Sequence, residues 1–115
     1  MAYRISNLVS DLNLRVLTSI YSDRPVLHGY CCDMLSWAMS RLDDTSAWFT
    51  ILNSMNVIAV ASLSECPCII LTEGVEMGHS VLSKAIEESI CVCVSSNTTY
   101  EAAARLSDAL KNAKD

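Results

Sequence analysis

Glycine and proline are scarce in this sequence, three of one and two of the other in 115 residues. That scarcity excludes a collagen-like repeat or a Pro/Gly-rich disordered chain. Charge is also sparse, at 18% of residues, and the balance is acidic: 13 Asp and Glu against 8 Lys and Arg, a net of −5. With no Lys/Arg run there is no basic field for a phosphate backbone, so nucleic acid is not an expected partner. A membrane-spanning run is missing as well. The uncharged stretch from Ala47 to Ser64 carries Asn53, Ser54, Asn56 and Ser62, which a spanning helix would have to bury in hydrocarbon. It is expected to be core. Tyr3, Arg4, Asn7 and Asp11 break any secretory-leader pattern at the start, and the expected compartment is the cytoplasm.

The signatures of common catalysts are absent too. No G-x-x-x-x-G-K-[ST] or G-x-G-x-x-G is present to cradle phosphates, and there is no G-x-S-x-G elbow and no H-E-x-x-H. The two histidines, His28 and His79, have no carboxylate partner at a fixed spacing, so no Ser-His or Cys-His nucleophile pair is indicated. His28 reads as a packed residue of an apolar strand and His79 as a surface residue near a helix start. Asp43-Asp44 and Glu87-Glu88 read as solvated charge pairs. A catalyst is not expected.

What the chain does have is apolar character, 51% of its residues, enough for the core of one domain spanning residues 1–115. Six of those residues are cysteines, in the close pairs Cys31-Cys32, Cys66/Cys68 and Cys91/Cys93. No C-x-x-C occurs. Small reduced thiols buried in strands fit this pattern; a thiolate metal or redox site remains open if the pairs converge.

Periodicity orders the elements. Ile5, Leu8, Val9 and Leu12 have helical spacing, Leu14 to Ile20 reads as a strand, and Tyr21 to Pro25 as a turn. Val26 to Cys31 is the next strand, followed by a helix through about Arg41 with Asp33 as its cap and Met34, Leu35 and Ala38 on one face. Three strand-then-helix units follow: Ala47–Leu52 with Asn56–Leu63, Cys68–Thr72 with Met77–Ser89, and Cys91–Ser95 with Thr98–Asn112. In the middle unit Val81, Leu82, Ala85 and Ile86 form the core stripe. The last helix opens on Thr98-Thr99-Tyr100-Glu101, a capping box, with Ala102, Leu106, Ala109 and Leu110 facing inward. Short continuous apolar strands alternating with helices point to an α/β fold, a mostly parallel sheet flanked by helices.

In such a sheet, ligands bind outside the carboxyl ends of the strands. Three polar loops stand there, 50–56, 72–74 and 95–99, each leading to a helix N-terminus where free N–H groups favour an anion or a polar head. Ser, Thr and Asn in these loops serve equally as caps and turn residues.

Four segments together carry a family resemblance: Gly29-Tyr30-Cys31-Cys32-Asp33-Met34-Leu35-Ser36, Trp48-Phe49-Thr50, Asn56-Val57-Ile58-Ala59-Val60-Ala61, and Ile69-Ile70-Leu71-Thr72-Glu73-Gly74. They resemble small stand-alone DRTGG-domain proteins, the N-terminal domain of HPr kinase/phosphorylase, and the DRTGG segment between CBS domains of some regulated pyrophosphatases. The similarity runs from about Ile5 to Leu110. Where the family has Thr-Gly-Gly, this chain has Thr72-Glu73-Gly74, and where many members have His-x-Asn it has Ser54-Met55-Asn56. The resemblance implies a non-catalytic regulatory or ligand-sensing module, in some relatives one that binds an adenine-containing nucleotide, and commonly a homodimer. The implied ligand contacts are Thr50, Asn53 and Asn56, Thr72 and Gly74, and Ser95 and Thr98; no cofactor or metal is implied. A protein-protein adaptor is the alternative, with Trp37, Trp48 and Tyr100 as either core or interface anchors, and a cysteine-based metal or redox protein is a further one.

Overall fold

Residues two apart in a strand share a face, and the apolar runs of this chain divide between two cores accordingly. The computed structural model describes residues 2–113. Along it run α1 (Ile5–Asp11), β1 (Arg15–Val16), β2 (His28–Cys31), α2 (Leu35–Arg41), β3 (Ser46–Thr50), α3 (Met55–Leu63), β4 (Cys68–Leu71), α4 (His79–Glu87), β5 (Cys91–Val94) and α5 (Thr99–Ala113). The strands form one sheet in the order β1-β5-β4-β3-β2. It is parallel from β2 to β5, and only β1 runs antiparallel, against β5.

Trp48, Ile69, Leu71 and Val92 pack under Ala38 of α2, Val57, Ile58 and Ala61 of α3, and Ala85 of α4. The intervening residues Phe49, Cys68, Ile70, Cys91 and Cys93 meet α1 and α5 through Ile5, Leu8, Ala102 and Leu106. All of β3, β4 and β5 is therefore buried, the reason these strands are continuously apolar rather than alternating.

Several local expectations are corrected by partners distant in sequence. The strand expected over Leu14–Ile20 is two residues long, because the Val92 N–H, which would extend the ladder, donates instead to the Thr18 hydroxyl at 3.2 Å. Val26 donates to Tyr3 O at 2.8 Å, outside the sheet, so β2 starts only at His28. Asp33 does not cap α2, whose N-cap is Met34; its Oδ1 accepts from Thr50 Oγ1 at 2.8 Å and from Ile51 N–H at 3.0 Å. Of the face assigned to α2, Ala38 is buried while Met34 lies in solvent. Met77 is buried ahead of α4 rather than inside it.

The turn before β2 also ties the chain together. Asp23 accepts from Ser6 N–H at 2.8 Å and from Ser6 Oγ at 2.7 Å, capping α1 from outside. The Arg24 guanidinium donates to the carbonyls of Asp44 (3.0 Å) and Glu65 (2.6 Å), closing off the amino ends of the parallel strands.

The cysteines divide. Cys66, Cys68, Cys91 and Cys93 are buried, whereas Cys31 is exposed and Cys32 partly so, because the strand that holds Cys31 is an edge. Among the described residues no three His, Cys, Asp or Glu side chains gather to hold a metal ion, and no helix is long and apolar enough to cross a membrane.

Candidate site at the carboxyl end of the sheet

Parallel strands finish side by side, so the residues just after β3, β4 and β5 meet without any sequence proximity. Thr72 N–H donates to Thr50 O at 3.2 Å and Ser95 N–H to Leu71 O at 2.8 Å, placing Thr50, Thr72 and Ser95 in one row. All three side chains are buried. Thr50 Oγ1 donates to Asp33 and accepts from Leu52 N–H at 3.1 Å; Thr72 Oγ1 bonds Thr99 Oγ1 at 2.5 Å; Ser95 Oγ accepts from Asn97 N–H at 3.1 Å. These hydroxyls shape the loops from within.

Asn53 and Asn56 are exposed. Asn53 Nδ2 donates to Glu76 O at 2.8 Å, joining the first loop to the second. Asn56 stands in the first turn of α3, whose N-cap Ser54 makes no side-chain cap bond and whose first turn holds no acidic residue. The N-terminus of α4 behind Gly78 is likewise without a side-chain cap or an acidic first turn. Both therefore keep backbone N–H groups and the positive end of the helix dipole open.

The N-terminus of α5 is different. The expected capping box is present: Thr98 N–H donates to Glu101 Oε1 and Glu101 N–H to Thr98 Oγ1, both at 3.1 Å. The Thr98 N–H and the Thr98 hydroxyl, both donating to its Oε1, hold the Glu101 carboxyl below the usual carboxylate range. A second carboxylate arrives from the β4 loop, where Glu73 Oε2 accepts from Thr99 N–H at 3.0 Å. Val75 N–H donates to Thr72 O at 3.1 Å across a turn whose central residues, Glu73 (φ 61°) and Gly74 (φ 73°), both lie in the left-handed region. Such a turn favours glycine at both positions; glutamate at the first is retained with its carboxylate on a helix N-terminus. Gly74 N–H and Glu73 N–H donate to Ser95 O and Asn97 O, at 3.1 and 2.8 Å, so this loop's main chain is already engaged by the β5 loop. Asp33, Glu73 and Glu101 make this rim acidic, a feature the separate loops did not reveal.

The sequence match decides the family at this point, since residues 7–109 fit the model of the DRTGG domain. This chain belongs to the DRTGG-domain family. No curated protein matches its sequence. In fold the DRTGG domain is similar to the CBS and DRTGG domains of the regulatory region of Clostridium perfringens pyrophosphatase, solved in complex with its activator, diadenosine tetraphosphate. The TM-score is 0.65 at 10% identity, over 85% of this chain and 43% of that one. The DRTGG domain thus spans less than half of that regulatory region, and the likeness is one of fold.

A polar cluster that the sequence did not expose lies at the opposite end of the DRTGG sheet. His28, expected to be packed and without a carboxylate, is exposed and its Nε2 lies 3.1 Å from Asp43 Oδ1 and 2.7 Å from Ser46 Oγ. Asp43 Oδ1 also accepts from Thr45 N–H at 2.9 Å and Ser46 Oγ at 2.9 Å. The Thr45 N–H is the main cause that holds the Asp43 carboxyl below the usual range, with Ser46, the Thr45 hydroxyl and His28 adding to it against the opposing effect of burial. Because the serine and the carboxylate share one imidazole nitrogen, the cluster lacks the relay of a Ser-His-Asp triad, which uses both nitrogens. It closes the loop into β3.

Proposed function

We propose that this DRTGG domain is a non-catalytic regulatory module that binds an adenine-containing nucleotide where β3, β4 and β5 end, acting as a homodimer in the cytoplasm and kin to the N-terminal domain of HPr kinase/phosphorylase. The observation that carries the reading is the contrast among the three helix N-termini: α5 is filled by the chain's own Glu73 and Glu101, while α3 and α4 are uncapped. A nucleotide phosphate is steered by charge away from α5 and toward α3, with Asn53 and Asn56 as side-chain contacts. Thr50, Thr72 and Ser95 position the loops, and the main-chain N–H groups of Gly74 and Thr98 are engaged within those loops rather than on the ligand. The fold shared with a regulatory region that binds diadenosine tetraphosphate supports the ligand class.

A thermal-shift and calorimetric titration of the reduced protein with AMP, ATP and diadenosine tetraphosphate tests this. A ligand of the folded state at a hundredfold excess over its Kd adds about 2.7 kcal/mol of stability. Stabilisation that is lost in Asn56→Ala and kept or strengthened in Glu73→Gly is the expected result. Thr72→Val is a poor probe, because it removes the bond to Thr99 with or without ligand. The absence of any shift in the wild-type protein at millimolar nucleotide overturns the reading. It leaves the adaptor alternative, which is favoured by Trp37, 49% exposed, and Tyr100, 83% exposed.

A further inference from the structure

The two edges of the sheet are not alike. Edge strands present unpaired N–H and C=O groups, and proteins protect them by shortness, charge, proline or a covering element. At one edge β1 is two residues long and carries Arg15, exposed and paired with Glu76. At the other edge β2, with the sequence His28-Gly29-Tyr30-Cys31, pairs among the described residues only with β3 and contains no acidic residue, lysine, arginine or proline. Its peptide groups alternate in direction. Cys32 N–H donates to Phe49 O at 3.2 Å, so Cys32 and Tyr30 direct their peptide groups at β3, and Gly29 and Cys31 direct theirs outward.

We propose that β2 pairs antiparallel with β2 of a second copy across a two-fold axis, joining the two sheets into one. The proposal supplies the interface for the homodimer of the preceding reading and rests on it. Backbone parity limits the register. Outward-facing residues must oppose one another to exchange hydrogen bonds, and of the two-fold registers this allows, the one centred on Tyr30 pairs both outward residues of each strand: Gly29 faces the partner's Cys31, Cys31 faces the partner's Gly29, and Tyr30 faces the partner's Tyr30. Both facing pairs then exchange two backbone bonds each. Gly29 has a separate reason to be glycine: a Cβ there would lie 2.9 Å from Phe49 and 3.0 Å from Leu106. Its consequence at the edge is that no side chain obstructs the approach of the partner's Cys31. The interface is isologous, as a two-fold requires.

The flanks of β2 fit a second copy. Beside the strand on the α5 side lies a groove of about 340 Å³ bordered by Leu27, Cys31 and Leu110; Leu27 is 62% exposed. On the α2 side, Met34 and Trp37 are exposed, and the Arg41 guanidinium stacks 4.1 Å above the Trp37 ring. Continuation of the sheet brings these apolar margins against their own counterparts. The rival surface is the uncharged outer stripe of α3, Met55, Ala59 and Leu63. Beyond the N–H groups of its first turn, its backbone is paired within the helix and specifies no partner strand.

Light scattering after size exclusion and disulfide trapping of the full chain test the proposal. The trapping variant is Tyr30→Cys with Cys31→Ser and Cys32→Ser, because facing residues of a pair without backbone bonds lie close enough for a disulfide. The expected result is a wild-type dimer, rapid covalent dimer formation by this variant on oxidation, and at least about tenfold weaker association of Cys31→Pro, which removes two intersubunit bonds. Proline is tolerated at an outward N–H of an edge strand, and circular dichroism checks that the variant folds. A dimer that does not trap at residue 30 and dissociates with Ala59→Arg overturns the β2 interface while the homodimer stands. A monomer at every concentration overturns both.

Discussion

Replacing Gly29 by alanine perturbs the packing of β2 against α5 with a single methyl group. That methyl lies 2.9 Å from Phe49 Cε2 and 3.0 Å from Leu106 Cδ2, where ordinary carbon contacts fall at about 3.5–4.0 Å. Both neighbours are 1% exposed, so moving either disturbs the core beneath α5. Overpacking of this kind costs about 1–3 kcal/mol. Against it, alanine in a strand recovers about 0.5–1 kcal/mol relative to glycine. At mid-range the steric effect wins by about 1 kcal/mol, and by up to about 2.5 kcal/mol, which lowers Tm by several degrees in a domain of this size. The assay is urea unfolding followed by far-ultraviolet circular dichroism at one fixed protein concentration, since association would otherwise enter the result. Leu106→Ala alone is expected to lose about 2–5 kcal/mol, and the double variant less than the sum, because the truncated leucine vacates the space that the methyl needs. Gly29→Ala as stable as the wild type, or strict additivity with Leu106→Ala, would refute the packing.

Three further outcomes are expected. Thr98→Ala removes the acceptor for Glu101 N–H and lowers stability by about 1 kcal/mol in the same urea assay; an unchanged midpoint contradicts the capping role. In a thiol titration at a protein concentration low enough to keep the chain monomeric, Cys31 and Cys32 react, and Cys66, Cys68, Cys91 and Cys93 react only on unfolding; burial pushes the Cys66 thiol up to about 12, and a third fast thiol would contradict this division. Asp43, whose carboxyl is held below its ordinary range chiefly by the Thr45 N–H, adds stability that is full above about pH 4, the unfolded value, and is lost as pH falls through the lower folded value. The urea midpoints of wild type and Asp43→Asn should therefore differ at neutral pH and converge in strong acid; a constant gap counts against the linkage.

Much of the fold was legible in the chain because its signals are short-range. The capping box of α5 spans four consecutive residues, Thr98 to Glu101, and the continuous apolar runs of β3, β4 and β5 register burial on both faces whatever their neighbours are. The same runs located the loops after each strand, and so the end of the sheet where Thr50, Thr72 and Ser95 line up. The misjudged residues are those whose partners lie far along the chain. Asp33 reads as a helix cap until Thr50 is beside it, and His28 as a core residue until Asp43 and Ser46 meet its Nε2.

Sequence alone determined the class of fold and the alternation of elements, because periodicity and caps depend on residues within one or two turns of one another; the family rested on the resemblance of particular segments and on the match of residues 7–109. Only the tertiary structure decided which strands are edges and what each carboxylate touches. Strand order leaves no trace in periodicity, and it is this order that leaves β2 open and β1 antiparallel. A left-handed backbone at Glu73 and its bond to Thr99, 26 residues away, exist only once β4 and β5 lie side by side. The α5 N-terminus, already marked in the sequence by its capping box, thereby receives a second carboxylate.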